Sequence, residues 1–533
     1  MVPNEAIPNE ASAKEGAPSE ALRSLALAAW PMAAAALVFP WWGAHRTEKI
    51  LILAFLCALT AFHWTRKRAP FEDRRRWLPY ALSLLTLALF TALGILSVAN
   101  FSNFDLGDIS YYLSSFHDSQ GWLPGANAIS GRPFLAHHSE FACIPVGWLF
   151  KLHPSPVTIQ LAQAAALTAA WMLFRNWIVA KSPAKAEGEW IAFGFAFCPC
   201  LLTLMLKGFH GVALGLPFLV LAATAFHDRK WIGFLLSLIL LLLVKEIFTF
   251  TAIALGGLAL LQRRPWRWFV VPIALGLGYG LFLRFFFFPM MLKDSVYYYS
   301  TFADGWSAML ARLFSGNSLK YLFQLALWGG SYAVLRSPYL LLALPSIGLN
   351  LVLNGAFSSP TLHYILEPSF WIYFAAATAF LEPADAARAP ETPLLRHRRI
   401  VALVACMLLM NFITRQGLPL YRHHKYETSY RQALAAIPEG ETLSLGVTLE
   451  DHLWKMKRFF WIHYAGEAWL GYSEEFGCRE GRYALLPRLT GINGALDLAE
   501  EERLIRCRDT LARDPGYRTV WSDSVLVLFA KRD

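Results

Sequence analysis

Apolar stretches close to the length of a bilayer-crossing helix alternate with short charged clusters through most of this chain. About thirteen such runs can be marked, at 24–43, 50–64, 77–98, 155–180, 190–206, 212–227, 231–243, 247–262, 268–288, 319–334, 338–356, 363–382 and 400–414. Each approaches the roughly 20 residues that one crossing takes. The pattern predicts a polytopic α-helical membrane protein.

The polar segments between the runs are unequal. One alternate set (65–77, 181–189, 228–230, 263–267, 335–337, 383–399) carries 18 Lys and Arg in 50 residues, and the other (44–49, 99–154, 207–211, 244–246, 289–318, 357–362) carries 8 in 106. Positive charge is retained on the cytoplasmic side. The expected topology therefore has a cytoplasmic N-terminus, with 99–154 and everything beyond 414 outside. In the long segment 99–154, Ile109–His117 and Phe141–Leu152 are too short to cross and read as helices in the interface, with Trp122, Trp148, Tyr111 and Tyr112 suited to the headgroup level. A second outer segment, Lys293–Asn317, contains Tyr297, Tyr298 and Tyr299 and could fold over the first as a lid.

After 414 the pattern changes: apolar runs shorten and charge becomes frequent. Leu443–Thr448 reads as a strand, Asp497–Arg513 as a charged helix, and Arg518–Ala530 as a hairpin turning at Ser522 and Asp523. The expected organisation is a disordered cytoplasmic segment 1–22, transmembrane helices in 23–98, a long outer segment 99–154, a transmembrane core 155–414 and a small extracytoplasmic α/β domain 415–533. No cleavable signal peptide is expected, since the first apolar run starts late behind an acidic segment.

Composition agrees with membrane integration: 56% of residues are hydrophobic, 16% are charged and the mean hydropathy is +0.39. About a quarter of residues are charged in soluble domains. The net charge of +10 follows from the cytoplasmic clusters, and no basic helix or zinc spacing points to nucleic acid. Of the seven Cys, Cys478 and Cys507 fall in the outer tail, where a disulfide is an open alternative.

Ionisable residues gather on the expected outer side. Asp105 and Asp108 follow the third run in N-F-D-L-G-D; they suit a helix cap before Ile109, or a carboxylate that takes a proton from an acceptor hydroxyl. His137 and His138, in H-H-S-E, are either ordinary loop residues or ligands for a phosphate or a divalent cation, for which Asp105 with His137 are the candidate pair. His210, the Lys245 and Glu246 pair, and His363 with Tyr364 stand at later outer junctions, with Glu367 one turn beyond His363. Charges so near hydrocarbon need a partner or a wet cavity. Mutual neutralisation and substrate binding both satisfy that need.

Several short motifs recur in a set order: F-D-L-G at Phe104–Gly107, H-H-S-E at His137–Glu140, P-S-P-V-T-I-Q at Pro154–Gln160, F-H at Phe209–His210, K-E at Lys245–Glu246 and H-Y at His363–Tyr364. In that order they resemble a family of predicted bacterial multispanning membrane proteins catalogued as a domain of unknown function, over about Ala99–Leu381. Two departures stand out: Ile247 follows K-E where the family pattern has Asp, and Glu140 replaces Pro.

The architecture is in turn similar to the GT-C class of membrane glycosyltransferases. That resemblance implies a GT-C-like fold in the bacterial cytoplasmic membrane and a polyprenyl-phosphate-linked sugar as donor. Asp105, or else Asp108, would be the catalytic base, and His137, His138, His210, Lys245, Glu246, His363 and Tyr364 would form the substrate and phosphate site. A Mg or Mn ion is an optional cofactor, and the acceptor is not implied. A transporter or flippase for a lipid-linked or amphipathic solute, and a non-catalytic scaffold, are the alternatives from other classes.

Overall fold

Most of the helices follow the apolar runs, and a few are started or stopped by identifiable local signals. The computed structural model describes residues 77–99, 108–119, 121–126, 132–136, 138–206, 208–292, 305–328, 334–335, 337–353, 363–381, 393–413, 426–446, 455–456, 458–461, 479–488 and 498–532. The expected runs at 24–43 and 50–64, the Tyr297–Tyr299 lid and Cys478 of the disulfide alternative lie outside the described residues.

Helix α1 (Trp77–Ala99) carries Ser83 and Thr86 through apolar surroundings by having their hydroxyls donate to Pro79 O and Leu82 O, each at 2.8 Å. Helix α2 (Asp108–His117) follows, and a short turn of 3-10 helix (Phe141–Cys143) leads into α3 (Ile144–Leu152). Helix α4 (Pro156–Lys181) opens on Ser155, whose hydroxyl accepts from Val157 N at 3.2 Å, with Pro156 in the first turn where no N–H is missed. The run expected at 190–206 is two helices, α5 (Lys185–Ala196) and α6 (Pro199–Leu206), bent by 41°. Pro199 has no N–H to continue the ladder, which accounts for the break.

Then come α7 (Leu216–His227), α8 (Trp231–Leu242), α9 (Phe248–Leu261) and α10 (Arg267–Phe282). The α7–α8 and α9–α10 connections share one design. Arg229 (φ 57°) and Arg263 (φ 52°) adopt the left-handed conformation, and the next N–H closes back on Ala225 O at 2.8 Å and on Ala259 O at 2.9 Å. A π-helical segment, Leu283–Phe287, joins α10 to α11 (Phe288–Leu292). The remaining bundle helices are α12 (Gly305–Leu313), α13 (Gly316–Trp328), α14 (Leu344–Leu353), α15 (Leu366–Thr378) and α16 (Pro393–Ile413).

The centre of the bundle is aromatic: Trp171 and Phe174 of α4, Phe195 of α5, and Phe370, Trp371 and Tyr373 of α15 are all fully buried. The outer faces are apolar too, with Ile232 73%, Leu261 70% and Phe286 69% exposed. Hydrocarbon suits such faces and water does not.

Among the described residues three helices are long and apolar enough to cross a membrane, Trp77–Leu96, Pro156–Lys181 and Arg267–Met291, or four if the bent pair α5–α6 is one span. Gly211–His227, Trp231–Leu242, Phe248–Leu261 and Pro338–Leu353 are shorter apolar helices. The expected count of thirteen spans is not decided by these lengths. Several of the runs open in 3-10 form, as at Gly211–Gly215, Pro338–Ala343 and His363–Ile365, which shortens the α-helical part.

A five-stranded sheet with two helices follows the bundle. Helix α17 (Glu427–Ala435) precedes β1 (Thr442–Leu445), β2 (Arg458–Trp461) and β3 (Tyr483–Pro487); α18 (Leu498–Arg513) precedes β4 (Tyr517–Ser522) and β5 (Leu526–Lys531). The strand order is β2-β1-β3-β5-β4, with β1 parallel to β2 and β3, and β5 antiparallel to β3 and β4.

Alternate residues of the inner strands point to opposite faces. Ala484, Leu486, Val527 and Phe529 pack with Leu504, Cys507 and Leu511 of α18. Leu485, Leu526 and Leu528 belong to a second core that continues through Tyr430 of α17 to Tyr112, Phe134, Phe209 and Phe287. The sheet and the bundle thus share a hydrophobic core. Arg431 of α17 also donates to Ala99 O at 2.7 Å, at the end of α1.

Candidate functional site

Segment 138–143 lies against the turn between α8 and α9, and two cation–carboxylate pairs tie them. Each segment supplies one basic and one acidic side chain. Glu246 Oε1 is 2.5 Å from His138 Nδ1, and Glu246 Oε2 accepts from Ser139 N at 3.1 Å and Ser139 Oγ at 3.3 Å. In the reverse sense, Lys245 Nζ lies 3.0 Å from Glu140 Oε1. The backbone adds Ala142 N donating to Leu243 O at 3.1 Å. The Glu140 side chain is 0% exposed and that of Lys245 11%, against 21% for His138 and 28% for Glu246. The Lys245–Glu140 pair is therefore the more deeply buried, and the His138–Glu246 pair opens towards solvent.

Burial works against the ionised form of Glu246, but the adjoining His138 and Lys245 outweigh it and hold the carboxyl down at about 2. Tyr112 of α2 donates to Glu140 Oε1 at 3.2 Å and accepts from Gly211 N at 3.0 Å. Burial, reinforced by the Glu140 carboxylate, raises the Tyr112 phenol well above its ordinary value, so it stays a neutral donor. The same two causes raise the Cys143 thiol, whose Sγ is 3.9 Å from Glu140 Oε2. Such a shift favours the neutral thiol.

Gly211 is the joint between this cluster and a second one. A Cβ there would come within 2.7 Å of both Glu140 Oε2 and Cys143 Sγ, so only glycine lets the chain pass so close. The preceding residue, His210, is buried, and its ring faces that of His363 with centroids 4.3 Å apart. The His363 ring meets Tyr364 at 4.0 Å. Gln163 of α4 fixes the approach: Oε1 accepts from His210 N at 2.8 Å, while Nε2 donates to Leu204 O at 2.5 Å and to Gly208 O at 3.3 Å. Behind His363, Glu367 Oε2 accepts from Ser346 Oγ at 2.6 Å, and Asn350 donates to Tyr321 OH at 2.8 Å and to Tyr364 O at 3.1 Å.

His138, His210, Lys245, Glu246, His363 and Tyr364 are thus linked through contacts at one end of the bundle. Asp105 and His137 lie outside the described residues. Asp108 is the first residue of α2, and its side chain is not described. Among the described residues no three His, Cys, Asp or Glu gather as a metal shell. The candidate ion pair Asp105 and His137 cannot be placed, so no step is routed through a metal.

The sequence brought in Glu140 as the carboxylate of H-H-S-E beside the candidate phosphate or cation ligands, and assigned no site role to Tyr112, Gln163 or Gly211. For Gln163 a signal existed, since a glutamine inside an apolar helix calls for a buried partner.

A helical bundle with hydrocarbon-suited faces and a partly buried ionic cluster at one end defines an integral membrane protein with a candidate polar site. The chain belongs to the family described as Predicted membrane protein (DUF2079), which matches residues 108–453. No curated protein matches it. Among solved structures it is similar to ArnT from Cupriavidus metallidurans bound to undecaprenyl phosphate, at 12% identity over 84% of this chain and 97% of that one, with a TM-score of 0.49. It is also similar to the same protein in the apo state, at 12% identity, the same coverage and a TM-score of 0.44.

Proposed function

We propose that this protein is a GT-C-type membrane glycosyltransferase that takes a sugar from a polyprenyl-phosphate donor at the outer face of the bacterial cytoplasmic membrane. The observation that carries the reading is the gathering of Lys245, His138, His210 and His363 around a Gly211 joint, at one end of an apolar bundle. The positive-inside count assigns that end to the outer side, with the N-terminus in the cytoplasm and the sheet outside. Thirteen crossings, partly in short helices, remain the proposed topology.

In the proposed reaction an acceptor hydroxyl oxygen attacks the anomeric carbon. The bond from that carbon to the phosphate oxygen breaks, and the lipid phosphate leaves with the electron pair. Asp105 takes the hydroxyl proton, with Asp108 as the alternative base. Lys245 and the histidines, with Tyr364 as a hydroxyl donor, offset charge on the departing phosphate, the kind of fixed-charge stabilisation that dominates many transfers. Glu246 orients His138 and Ser139. Confining donor and acceptor at the interface replaces a two-body encounter by a local one.

Asp105→Asn, expressed to wild-type level, is expected to abolish a glycan product of cells that depend on the protein. An unchanged product with abundant variant would sink the reading. Running the same comparison on membranes with and without a chelator reads whether Asp105 and His137 take a divalent ion.

A flippase or transporter is the second reading. The polar seam of Tyr321, Ser346, Asn350 and Glu367 between α13, α14 and α15 favours it, because a solute path needs polar groups inside the bundle. Movement of a fluorescent lipid-linked sugar across reconstituted vesicles, undiminished in Asp105→Asn, would select it.

A further inference from the structure

The phosphate role given to Lys245 meets a difficulty in the geometry. Its ammonium already faces a carboxylate, Glu140 Oε1, at 3.0 Å, and Glu140 is wholly buried. A phosphate brought to the same ammonium would add negative charge beside that carboxylate, in surroundings that screen little. Without the lysine Glu140 keeps neutral contacts, the Tyr112 hydroxyl on Oε1 at 3.2 Å and the Cys143 thiol 3.9 Å from Oε2, so releasing the ammonium has a cost that an incoming anion must offset. The lysine is the member that can be shared. It sits on a turn next to Glu246, whose carboxylate keeps its hydrogen bonds to His138 and Ser139 when the Lys245 head moves, losing only the longer-range attraction of the ammonium. The exposure gradient runs the same way: Lys245 is 11% exposed and Glu140 0%.

We propose that Glu140 is a resident counter-anion, occupying in the ligand-free protein the place at the Lys245 ammonium that a phosphate monoester takes on binding. Anion binding is then an exchange, in which Lys245 Nζ leaves Glu140 for the incoming phosphate. Glu140 so lowers the site's affinity for anions while keeping a buried cation paired, because a lone buried charge is strongly destabilising. The inference rests on the proposed lipid-phosphate site and specifies its regulation: the carboxylate selects ligands whose charge competes with its own.

The test measures binding of a polyprenyl monophosphate and, separately, of inorganic phosphate to the purified full chain in detergent. Glu140→Gln keeps size and an acceptor for Tyr112 but removes the charge, and is expected to raise affinity at least about tenfold, in line with measured couplings of close charge pairs. Glu140→Asp, one methylene shorter, keeps the charge but loosens the contact and is expected to give a smaller gain, which keeps the test open if Glu140→Gln does not fold. A gain confined to the polyprenyl ligand identifies a lipid source, and a gain for both identifies recognition of the phosphate group alone. Lys245→Met is expected to lose binding. If Lys245→Met binds as the wild type does, the proposed phosphate role fails and the exchange with it. If Lys245→Met loses binding while folded Glu140 variants gain nothing, the exchange alone is overturned.

Discussion

Gly211 and Glu246 show how much of the site rests on single atoms. Gly211→Ala places a Cβ 2.7 Å from Glu140 Oε2 and Cys143 Sγ, both fully buried, so neither can yield freely. The expected cost is about 1–3 kcal/mol, as for other overpacked sites, read as a lower midpoint in thermal unfolding. Glu246 makes a pH prediction. Its carboxyl is lowered from 4.5 to about 2 in the folded chain, so its ionised form stabilises the fold. That contribution is complete above about pH 4.5 and fades as pH falls towards 2. The melting difference between wild type and Glu246→Gln should therefore be widest near neutrality and shrink below pH 4.5. A constant difference would show that the charge does not contribute. The presence of charge at these positions was legible in the sequence, but its pairing was not. Lys245 and Glu246 are neighbours in the chain, yet each pairs with the opposite segment, a partnership that only the third dimension can set.

Helices were the most legible elements where a cap or a breaker accompanied the apolar run. The run at 155–180 matched α4, which Ser155 caps, and the hairpin turn at Asp523 was visible, its Oδ1 accepting from Val525 N at 2.7 Å and Leu526 N at 2.8 Å. The bend at Pro199 was hidden inside a continuous apolar run, and β2 and β3 gave too short a pattern to register. Gln163 acts at this scale, because one amide ties α4 to both sides of the turn between α6 and α7. Gln163→Leu removes the acceptor of the buried His210 N–H and is expected to cost about 1–3 kcal/mol. Amide exchange at His210 and Gly211 should quicken, and exchange in the middle of α9 should not. Equal quickening in both places would mean that the whole bundle had loosened.

At the scale of the molecule, the sequence indicated an apolar bundle followed by a small α/β unit, and the structure has both. That they share a core is not visible in the residue pattern. Hydrophobic strands announce burial but not what covers them, and Leu485 faces the bundle side of the sheet while its neighbours Ala484 and Leu486 face α18. Leu485→Ala should cost about 2–5 kcal/mol as a buried truncation. Because its cluster reaches Tyr112, hydrogen exchange in Asp108–His117 should rise along with exchange in the sheet. An effect limited to the sheet would show the two parts to be energetically separate.

The sheet order has a consequence for biogenesis. Strand β5 is the latest of the five in the chain, yet it lies between β3 and β4. A ribosome delivering this protein has made all the bundle helices described here before the sheet can close. Until Leu526–Lys531 emerges, the apolar floor beneath Tyr112 and Phe134 has no complete cover.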